Sequence, residues 1–237
     1  SASTLYAASF GQGVYKTTDA GQTWLFRGSG LPLGTGGGTE LAIDPSNPAT
    51  LYASVFQGGF FKSTDGGASW AAAGNGLGTT ALGAIRIDPV TPTTIYLASQ
   101  AGVFKSVDGA ASWVAQNAGL TQLVIRSIAI STSNPGTIYV GTQTSGVFRS
   151  ADGAGSWLHT RGGLPEGSTI TGLAADPSNP SRAIAAPFLS GPYSTTNGGI
   201  SWATSGSGLN GGAMNAVAIA PSDPTQLYAV GFASIDA

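Results

Sequence analysis

Short runs of apolar residues alternate along the whole chain with polar segments rich in Gly, Pro, Asp and Ser. Four such runs fall between residues 82 and 115: Leu82–Ile87, Thr94–Ser99, Val103–Lys105 and Trp113–Ala115. Apolar runs of this length, bounded by turn-forming residues, are typical of β-strands and too short for helices. The pattern predicts four strands, which we call A to D in chain order, and no helix.

The same set of runs recurs with a period near 44 residues. The five tryptophans stand at positions 24, 70, 113, 157 and 202, so consecutive ones are 46, 43, 44 and 45 residues apart. A repeat of about 40–50 residues with four short strands is the signature of a β-propeller blade. We therefore predict an all-β fold, a single β-propeller domain over residues 1–237 built from five repeats.

Each tryptophan ends an eight-residue segment that begins with Ser or Thr and carries Asp or Asn at its third position. We call these segments box 1 to box 5: Thr17–Trp24, Ser63–Trp70, Ser106–Trp113, Ser150–Trp157 and Thr195–Trp202. Asp followed by Gly is turn chemistry, because the carboxylate accepts hydrogen bonds from nearby N–H groups and Gly adopts positive φ. A Trp side chain buries about 150–250 Å², so we predict that each box is a hairpin whose tryptophan is buried between blades. The residues given this structural role are Asp19, Trp24, Asp65, Trp70, Asp108, Trp113, Asp152, Trp157, Asn197 and Trp202.

The boxes resemble the Asp-box of bacterial neuraminidases, whose pattern is Ser/Thr-x-Asp-x-Gly-x-x-Trp. Boxes 1 and 2 match at every position, whereas Ala110 and Ala154 replace the glycine in boxes 3 and 4, and Asn197 replaces the aspartate in box 5. We expect these replacements to loosen the turn without removing it, since Asn also forms Asx-turns. The resemblance implies a propeller fold in which the box is a structural hairpin remote from any active site.

The strand types do not divide into complete blades. The chain holds five A, six B, five C and five D strands, and both the first strand, Ser3–Ala8, and the last, Gln226–Val230, are of type B. A closed ring of five blades places the last A strand, Met214–Ile219, beside the first B, C and D strands, which removes an open edge. The last B strand is then displaced or replaces the first. We favour five blades; the alternative is part of a larger propeller, in which Gly231–Ala237 begins a further strand C.

Composition narrows the range of functions. Charged residues make up 8% of the chain, the net charge is −2 and there is no basic run, so nucleic-acid binding and docking to anionic membranes lack an electrostatic basis. No apolar run is long enough for a membrane span. The absence of cysteine excludes disulfides and thiolate metal sites, and we predict no metal site and no cofactor. We expect an extracellular or periplasmic location, although no signal peptide precedes Ser1.

Unassigned acids are scarce. Eight of the eleven acidic residues lie in boxes or in the turns between strands A and B, which leaves Glu40, Glu166 and Asp236. Glycoside hydrolysis by two carboxylates requires acids about 5–10 Å apart, and no motif groups these three. All seven tyrosines occupy positions that recur in strands B and C of the repeats, which leaves none for a sialidase-type nucleophile. We therefore predict no catalytic residues and no enzyme activity.

Differences between the repeats concentrate in the loops that join strand D to the next strand A, on the same predicted face as the B-to-C turns. Loops on a rigid scaffold commonly carry function, and exposed Arg and aromatic residues dominate protein recognition. We predict that a partner contacts this D-to-A face. The candidate contact residues are Phe10, Arg27, Phe56, Arg126, His159, Arg161, Glu166 and Phe188. Among them, we expect His159, Arg161 and Glu166 to form one polar cluster on a D-to-A loop.

Two classes of function remain. The favoured one is a non-enzymatic scaffold or interaction domain that recognises a protein, or a glycan, as the resemblance to sortilin-type receptor domains and photosystem assembly factors implies. The alternative is a carbohydrate-active propeller, of xyloglucanase or sialidase type or lectin-like, whose catalytic acids are missing or lie outside this chain.

Overall fold

The strands form where the apolar runs predict them. The computed structural model describes residues 3–34, 38–78, 81–160, 162–207, 209 and 213–232, and the regular structure of these residues is entirely β-strand. It comprises 21 strands in six sheets, and within each sheet the strands that follow one another in the chain are paired. The predicted all-β fold of four-stranded units is confirmed, as is the predicted number of strands of each type.

Four of the sheets are complete, with the order A-B-C-D. Sheet 1 has β1 (Leu5–Ser9), β2 (Gly13–Thr17) and β3 (Leu25–Phe26). Sheet 2 has β4 (Thr39–Ile43), β5 (Leu51–Val55), β6 (Gly59–Ser63) and β7 (Ala71–Ala72). Sheet 3 has β8 (Leu82–Ile87), β9 (Ile95–Ser99), β10 (Gly102–Ser106) and β11 (Val114–Ala115). Sheet 4 has β12 (Ile125–Ile130), β13 (Ile138–Thr142), β14 (Val147–Ser150) and β15 (Leu158–His159). Sheet 5 has β16 (Ile170–Ala175), β17 (Ala183–Pro187), β18 (Tyr193–Thr195) and β19 (Ala203–Thr204), and sheet 6 has β20 (Ala213–Ile219) and β21 (Leu227–Phe232).

The contacts divide the chain into two compact units, each with its own apolar core. The first unit comprises Ser1–Leu97 with Lys105–Val114, and the second comprises Ala98–Phe104 with Ala115–Ala237. In the first, one core cluster joins side chains of sheets 1 and 2: Val14, Leu31, Leu51, Ala53, Val55 and Trp70. In the second, one joins sheets 4 and 5: Ala129, Tyr139, Val147, Leu164, Ile170, Leu173, Ala183, Ala185 and Trp202. Each of these clusters therefore forms where one sheet packs against the next, and the strands β5, β13 and β17, which contribute to them, are buried along their whole length.

Four of the five tryptophans are buried, as predicted. Each of the four is 3–6% exposed, and its Nε1 donates a hydrogen bond to a backbone carbonyl 40–43 residues earlier. The bonds run from Trp70 to Arg27, from Trp113 to Ala73, from Trp157 to Gln116 and from Trp202 to Thr160.

The prediction is wrong for Trp24. This side chain is 41% exposed, and its Nε1 donates to the carbonyl of Gly21 in its own box at 3.1 Å. The physical difference is the partner of the indole: Trp24 Nε1 bonds within its own box, whereas each of the other four reaches a carbonyl of the preceding repeat.

The D strands begin after the tryptophan, not at it. The N–H of Trp113 donates to the carbonyl of Asn75 at 2.9 Å rather than to strand C, so β11 begins at Val114. The other D strands in sheets 2, 4 and 5 start in the same way.

The last A strand lies in a different sheet from the one expected. β20 pairs with β21 from Ala213 opposite Phe232 to Ile219 opposite Leu227, and sheet 1 contains only strands of types B, C and D. The strand Met214–Ile219 was expected to pair with the B strand of sheet 1. It pairs instead with β21, which is itself a B strand, and so forms a separate sheet. Gly231, expected to begin a strand C, is part of β21. Residues 233–237, which include Asp236, lie outside the described residues.

Candidate functional site

Box 2 is a hydrogen-bonded turn, as the sequence predicts. Ser63 Oγ donates to Asp65 Oδ1 at 2.8 Å, and the N–H and Oγ of Ser69 donate to the two carboxylate oxygens at 3.0 and 2.6 Å. Boxes 1, 3 and 4 repeat these bonds. The bonds from Ser69, followed by the bond from Ser63, lower the pKa of Asp65 to about 2. The same type of bond lowers the pKa of Asp19, Asp108 and Asp152 to about 2. The box carboxylates are thus ionised and used within their own turns.

The replaced box positions keep the turn. Ala110 and Ala154 adopt a left-handed φ of 71°, and the N–H of each donates to the first residue of its box at 2.9 Å, as Gly67 does in box 2. The turn is therefore retained at these two positions, as expected. Alanine takes up the left-handed backbone, at a cost of about 1–2 kcal/mol for a residue with a Cβ. In box 5, Asn197 Oδ1 accepts from the N–H of Ser201 at 3.0 Å, so the amide replaces the carboxylate as expected.

The acids of the A-to-B turns are also occupied locally. Asp44 accepts from Ser46 and Asn47 in its own turn. Asp176 does the same with Ser178, and also forms an ion pair of 2.7 Å with Arg182. Burial raises the pKa of Asp176, but the bonds from Arg182 and Ser178 outweigh it and the net shift is downward. These acids therefore stabilise their own turns.

The B-to-C turns and the D-to-A loops lie together in sheets 2, 4 and 5, as predicted. In each, the N–H of the first turn residue donates at 2.9–3.1 Å to the carbonyl just before strand A of the same sheet. The pairs are Phe56 with Gly38, Gln143 with Val124, and Phe188 with Thr169. One bond therefore holds the two loops of each sheet side by side.

In the second unit, hydrogen bonds connect this face from sheet 4 to sheet 5. Arg126 is exposed on β12, and its Nη2 donates to Gln143 Oε1 at 3.1 Å. The carbonyl of Gln143 accepts from Thr169 Oγ1 at 2.5 Å, and Thr169 in turn accepts from the N–H of Phe188 at 2.9 Å. Arg126 and Phe188, both candidates from the sequence, thus belong to one hydrogen-bonded surface.

A groove with a volume of about 300 Å³ opens on this surface in sheet 5. We call it the loop groove; residues 165–169 of the D-to-A loop and 187–190 of the B-to-C turn line it. Phe188 is 41% exposed and Leu189 is 74% exposed, and the carboxylate of Glu166 is exposed beside them. Ser168 Oγ is buried and has no hydrogen-bond partner among the described residues. The groove therefore offers an apolar wall and an acid to solvent, and the Ser168 hydroxyl is buried behind them.

The predicted cluster of His159, Arg161 and Glu166 is not established. His159 lies on β15, its ring stacked on Phe148 with centroids 4.5 Å apart and its Nε2 2.6 Å from the carbonyl of Ser145. These contacts hold the ring against sheet 4, while Glu166 lies in the loop groove before sheet 5. Arg161 lies outside the described residues.

The remaining candidates belong to the first unit. Phe10 is 70% exposed in the turn after β1, and Phe56 is partly buried. Arg27 is partly buried, and its backbone is used by packing, since its N–H donates to Val14 and its carbonyl accepts from Trp70. The candidates are therefore divided between the two units.

Sequence analysis missed two residues of this surface, Leu189 and Gln143. Leu189 stands where the B-to-C turns of other repeats carry Gln57, Ala101 or Thr144, so its departure from the repeat was a usable signal. Gln143 carried no such signal, because Gln100 occupies the same position in sheet 3.

A metal-binding cluster is not present in the part of the chain that the structure describes. No three residues of the His, Cys, Asp and Glu types come together there to hold a metal ion. Glu40 is exposed in the first unit, where its charge acts on Arg86, whose pKa is lowered by burial and raised by Glu40, with a net downward shift. Glu166 belongs to the second unit. Across the described residues no helix is long and apolar enough to span a membrane.

Comparisons with known proteins identify the fold. The sequence matches no family model and no curated protein. Among solved structures, the GH74 xyloglucanase from Xanthomonas campestris has a TM-score of 0.80 at 20% identity, over 97% of this chain and 42% of that chain. An extracellular domain from B. thetaiotaomicron has a TM-score of 0.69 at 13% identity, over 97% and 30%. YCF48 bound to a D1 peptide has a TM-score of 0.50 at 14% identity, over 98% and 87%. The chain spans less than half the length of the first two, and at these identities the likeness shows the β-propeller fold alone.

Proposed function

We propose that this chain is a non-enzymatic propeller domain of the Asp-box type that binds a protein partner through the D-to-A face of its second unit. The observation that carries the proposal is the loop groove, where Phe188 and Leu189 are exposed beside Glu166. Exposed aromatic side chains on a rigid base are typical of binding hot spots. The base here is rigid because backbone and side-chain bonds join Gln143, Thr169 and Phe188.

The face formed by the box hairpins offers less to a partner. Its box acids accept hydrogen bonds from their own turns, so a partner would have to compete with existing bonds. Arg126, at the edge of the D-to-A face, is exposed and adds the residue type that is enriched at interfaces together with aromatic side chains.

The test is site-specific cross-linking. A photo-reactive amino acid is placed at Leu189 and, in a matched control, at Val107, an exposed apolar residue of box 3. A protein captured from position 189 in an extract of the source cells is then purified, and its affinity is measured. Phe188→Ala should weaken binding by about tenfold or more, as hot-spot truncations do, and Val107→Ala should leave it unchanged. Cross-links that form only from position 107 would contradict the proposal.

The alternative is a carbohydrate-active propeller, and the likeness in fold to a xyloglucanase is the observation that favours it. Here Glu166 and Phe188 would contact a glycan, and the other catalytic acid would lie outside this chain. The supply of free acids supports the non-enzymatic function better, because Glu40 and Glu166 are the two unassigned acids among the described residues and lie in different units.

We further propose one propeller domain of five repeats, or part of a larger propeller, and an extracellular or periplasmic location. The pairing of β20 with β21 supports the larger propeller, since it leaves sheet 1 without an A strand. The extracellular domain among the similar structures supports the location.

A further inference from the structure

The loop groove has the dimensions of a contact for a short segment of chain. Its volume of about 300 Å³ is at the lower end of the range of ligand pockets, about 300–1,000 Å³. Its two walls are loops joined at the base by the bond from Phe188 N–H to the carbonyl of Thr169. A groove of this size between fixed walls suits one or two side chains and the backbone between them.

The walls differ in chemistry. On the B-to-C side, Phe188 and Leu189 present apolar surface to solvent, and Pro187 continues that wall. Burial of such surface is favourable by about 25 cal/mol per Å², so this wall selects a bulky apolar side chain.

On the D-to-A side, Glu166 places a negative charge at the groove. Within the described residues Glu166 forms no ion pair; the ion pair found there is that of Arg182 with Asp176. A carboxylate near an apolar wall favours a ligand that carries a cation beside an apolar group. Complementary charges select such a ligand over others and fix its position along the groove.

The Ser168 Oγ in the same loop is buried, so an occupant of the groove meets the apolar wall and Glu166 and not this hydroxyl. A short peptide supplies both complements, because it can carry an apolar side chain beside a cationic one. A sugar supplies hydroxyls but no cation, and so leaves Glu166 without its complement.

Resting on the proposed function, we infer that the loop groove binds an extended peptide segment in which a Lys or Arg stands next to a bulky apolar residue. The cationic side chain pairs with Glu166, and the apolar one packs on Phe188 and Leu189.

The test uses blocked tetrapeptides as probes. Gly-Lys-Phe-Gly, Gly-Glu-Phe-Gly and Gly-Lys-Ser-Gly are titrated into the isotope-labelled chain at millimolar concentrations while the amide signals of Ser168 and Leu189 are followed. Gly-Lys-Phe-Gly should bind about fivefold more tightly than either other peptide, as expected for one exposed ion pair and one buried apolar side chain. Equal binding of all three would overturn the inference.

Variants separate the two walls. Glu166→Gln should weaken the binding of Gly-Lys-Phe-Gly about fivefold, whereas Glu40→Gln, the matched exposed acid, should not change it. Leu189→Ser should weaken it to a similar degree, whereas Val107→Ser should not. Arg161→Ala removes the cationic residue closest to Glu166 in the sequence. The preference for Gly-Lys-Phe-Gly over Gly-Glu-Phe-Gly should remain in this variant. A loss of that preference, or a Glu166→Gln variant that binds as tightly as the parent, contradicts the inference.

A glycan arm and the cross-linking experiment complete the test. A xyloglucan oligosaccharide that shifts the same amides, when the peptides do not, would overturn the inference in favour of the alternative. A partner cross-linked from position 189 together with failed peptide binding would overturn this inference and leave the proposed function standing. Peptide binding without any cross-linked partner would contradict the proposed function instead.

Discussion

The indole N–H of Trp70 donates a hydrogen bond of 2.7 Å to the backbone carbonyl of Arg27, in the loop after sheet 1. The backbone N–H of Trp70 is used in the same direction, since it donates to the carbonyl of Ser29 at 2.9 Å. Two bonds and a buried ring therefore join box 2 to the preceding repeat, whereas Trp24 has its indole bond within its own box.

Trp70→Ala should lower the free energy of unfolding by about 3–5 kcal/mol, as truncations of buried aromatic residues do. Trp24→Ala is the matched control, and because that ring is 41% exposed it should cost clearly less. Urea unfolding followed by circular dichroism measures both. Similar costs for the two variants would show that the indole bonds between repeats contribute little.

Acid should destabilise the fold through the boxes. The folded-state pKa of the four box aspartates is about 2, below the ordinary value of 3.8, so their stabilising effect is complete above about pH 4 and is lost as the pH falls towards 2. Asp65→Asn should flatten this decline, since Asn197 shows that an amide keeps the turn, and Asn197→Asp should steepen it. Melting temperatures between pH 2 and 6 provide the measurement. An identical pH profile in all three proteins would contradict the assignment.

Ala20→Gly should stabilise the protein by about 0.5–1 kcal/mol. Ala20 is exposed and has a φ of 60°, a conformation that costs a residue with a Cβ about 1–2 kcal/mol and glycine almost nothing. Ala72→Gly is the control at an exposed strand position, where the same change should destabilise by about 0.5–1 kcal/mol. Denaturant titration of the two variants should therefore give shifts of opposite sign, and shifts of the same sign would refute the strain at box 1.

Arg182→Ala should cost about 2 kcal/mol. Sheet 5 carries Ile184 where sheet 4 uses Tyr139 Oη to bond the carbonyl of Pro180 at 2.8 Å. Arg182 supplies the corresponding link, with Nη1 2.6 Å from the carbonyl of Pro224, and also pairs with the buried Asp176. Its loss leaves a buried carboxylate without its cation, which costs about 1–3 kcal/mol or more. Arg126→Ala, at an exposed position, should change stability by no more than about 0.5 kcal/mol, and an equal loss in both variants would argue against this role.

The chain alone should not hydrolyse xyloglucan or sialosides. Glu166 and Glu40 are the unassigned acids in the described part of the chain, and they belong to different units. The measurement is release of reducing sugar from xyloglucan and of sialic acid from a sialoside, with Glu166→Gln and Glu40→Gln as controls. Turnover that disappears in either variant would establish the carbohydrate-active alternative.

The sequence predicts well what is decided locally. The turn of box 2 forms because Ser63, Asp65 and Ser69 bond one another within seven residues, and this could be read directly from the pattern. The exposure of Trp24 could not, because an indole is buried by the repeat that it packs on and not by its own box. The pairing of β20 could not either, since an A strand carries no mark that selects one B strand over another.

The candidate face was predicted in outline and not in detail. Glu166 was found by its departure from the repeat and Phe188 as an aromatic residue of a B-to-C turn, and both line one groove. Leu189 was missed because attention to aromatic and charged side chains overlooks an aliphatic one, whose exposure of 74% depends on the course of the turn. The stacking of His159 on Phe148 across β14 and β15 was not predicted, because it depends on the pairing of the two strands.

The four indole bonds all point backward along the chain, from a later residue to a carbonyl 40–43 positions earlier. A ribosome releases the N-terminal residues first, so each carbonyl has already emerged when its tryptophan is made. Every new repeat then finds a completed surface on which to fold, and never has to wait for sequence still inside the ribosome. The direction of these bonds makes the order of translation a workable order of assembly.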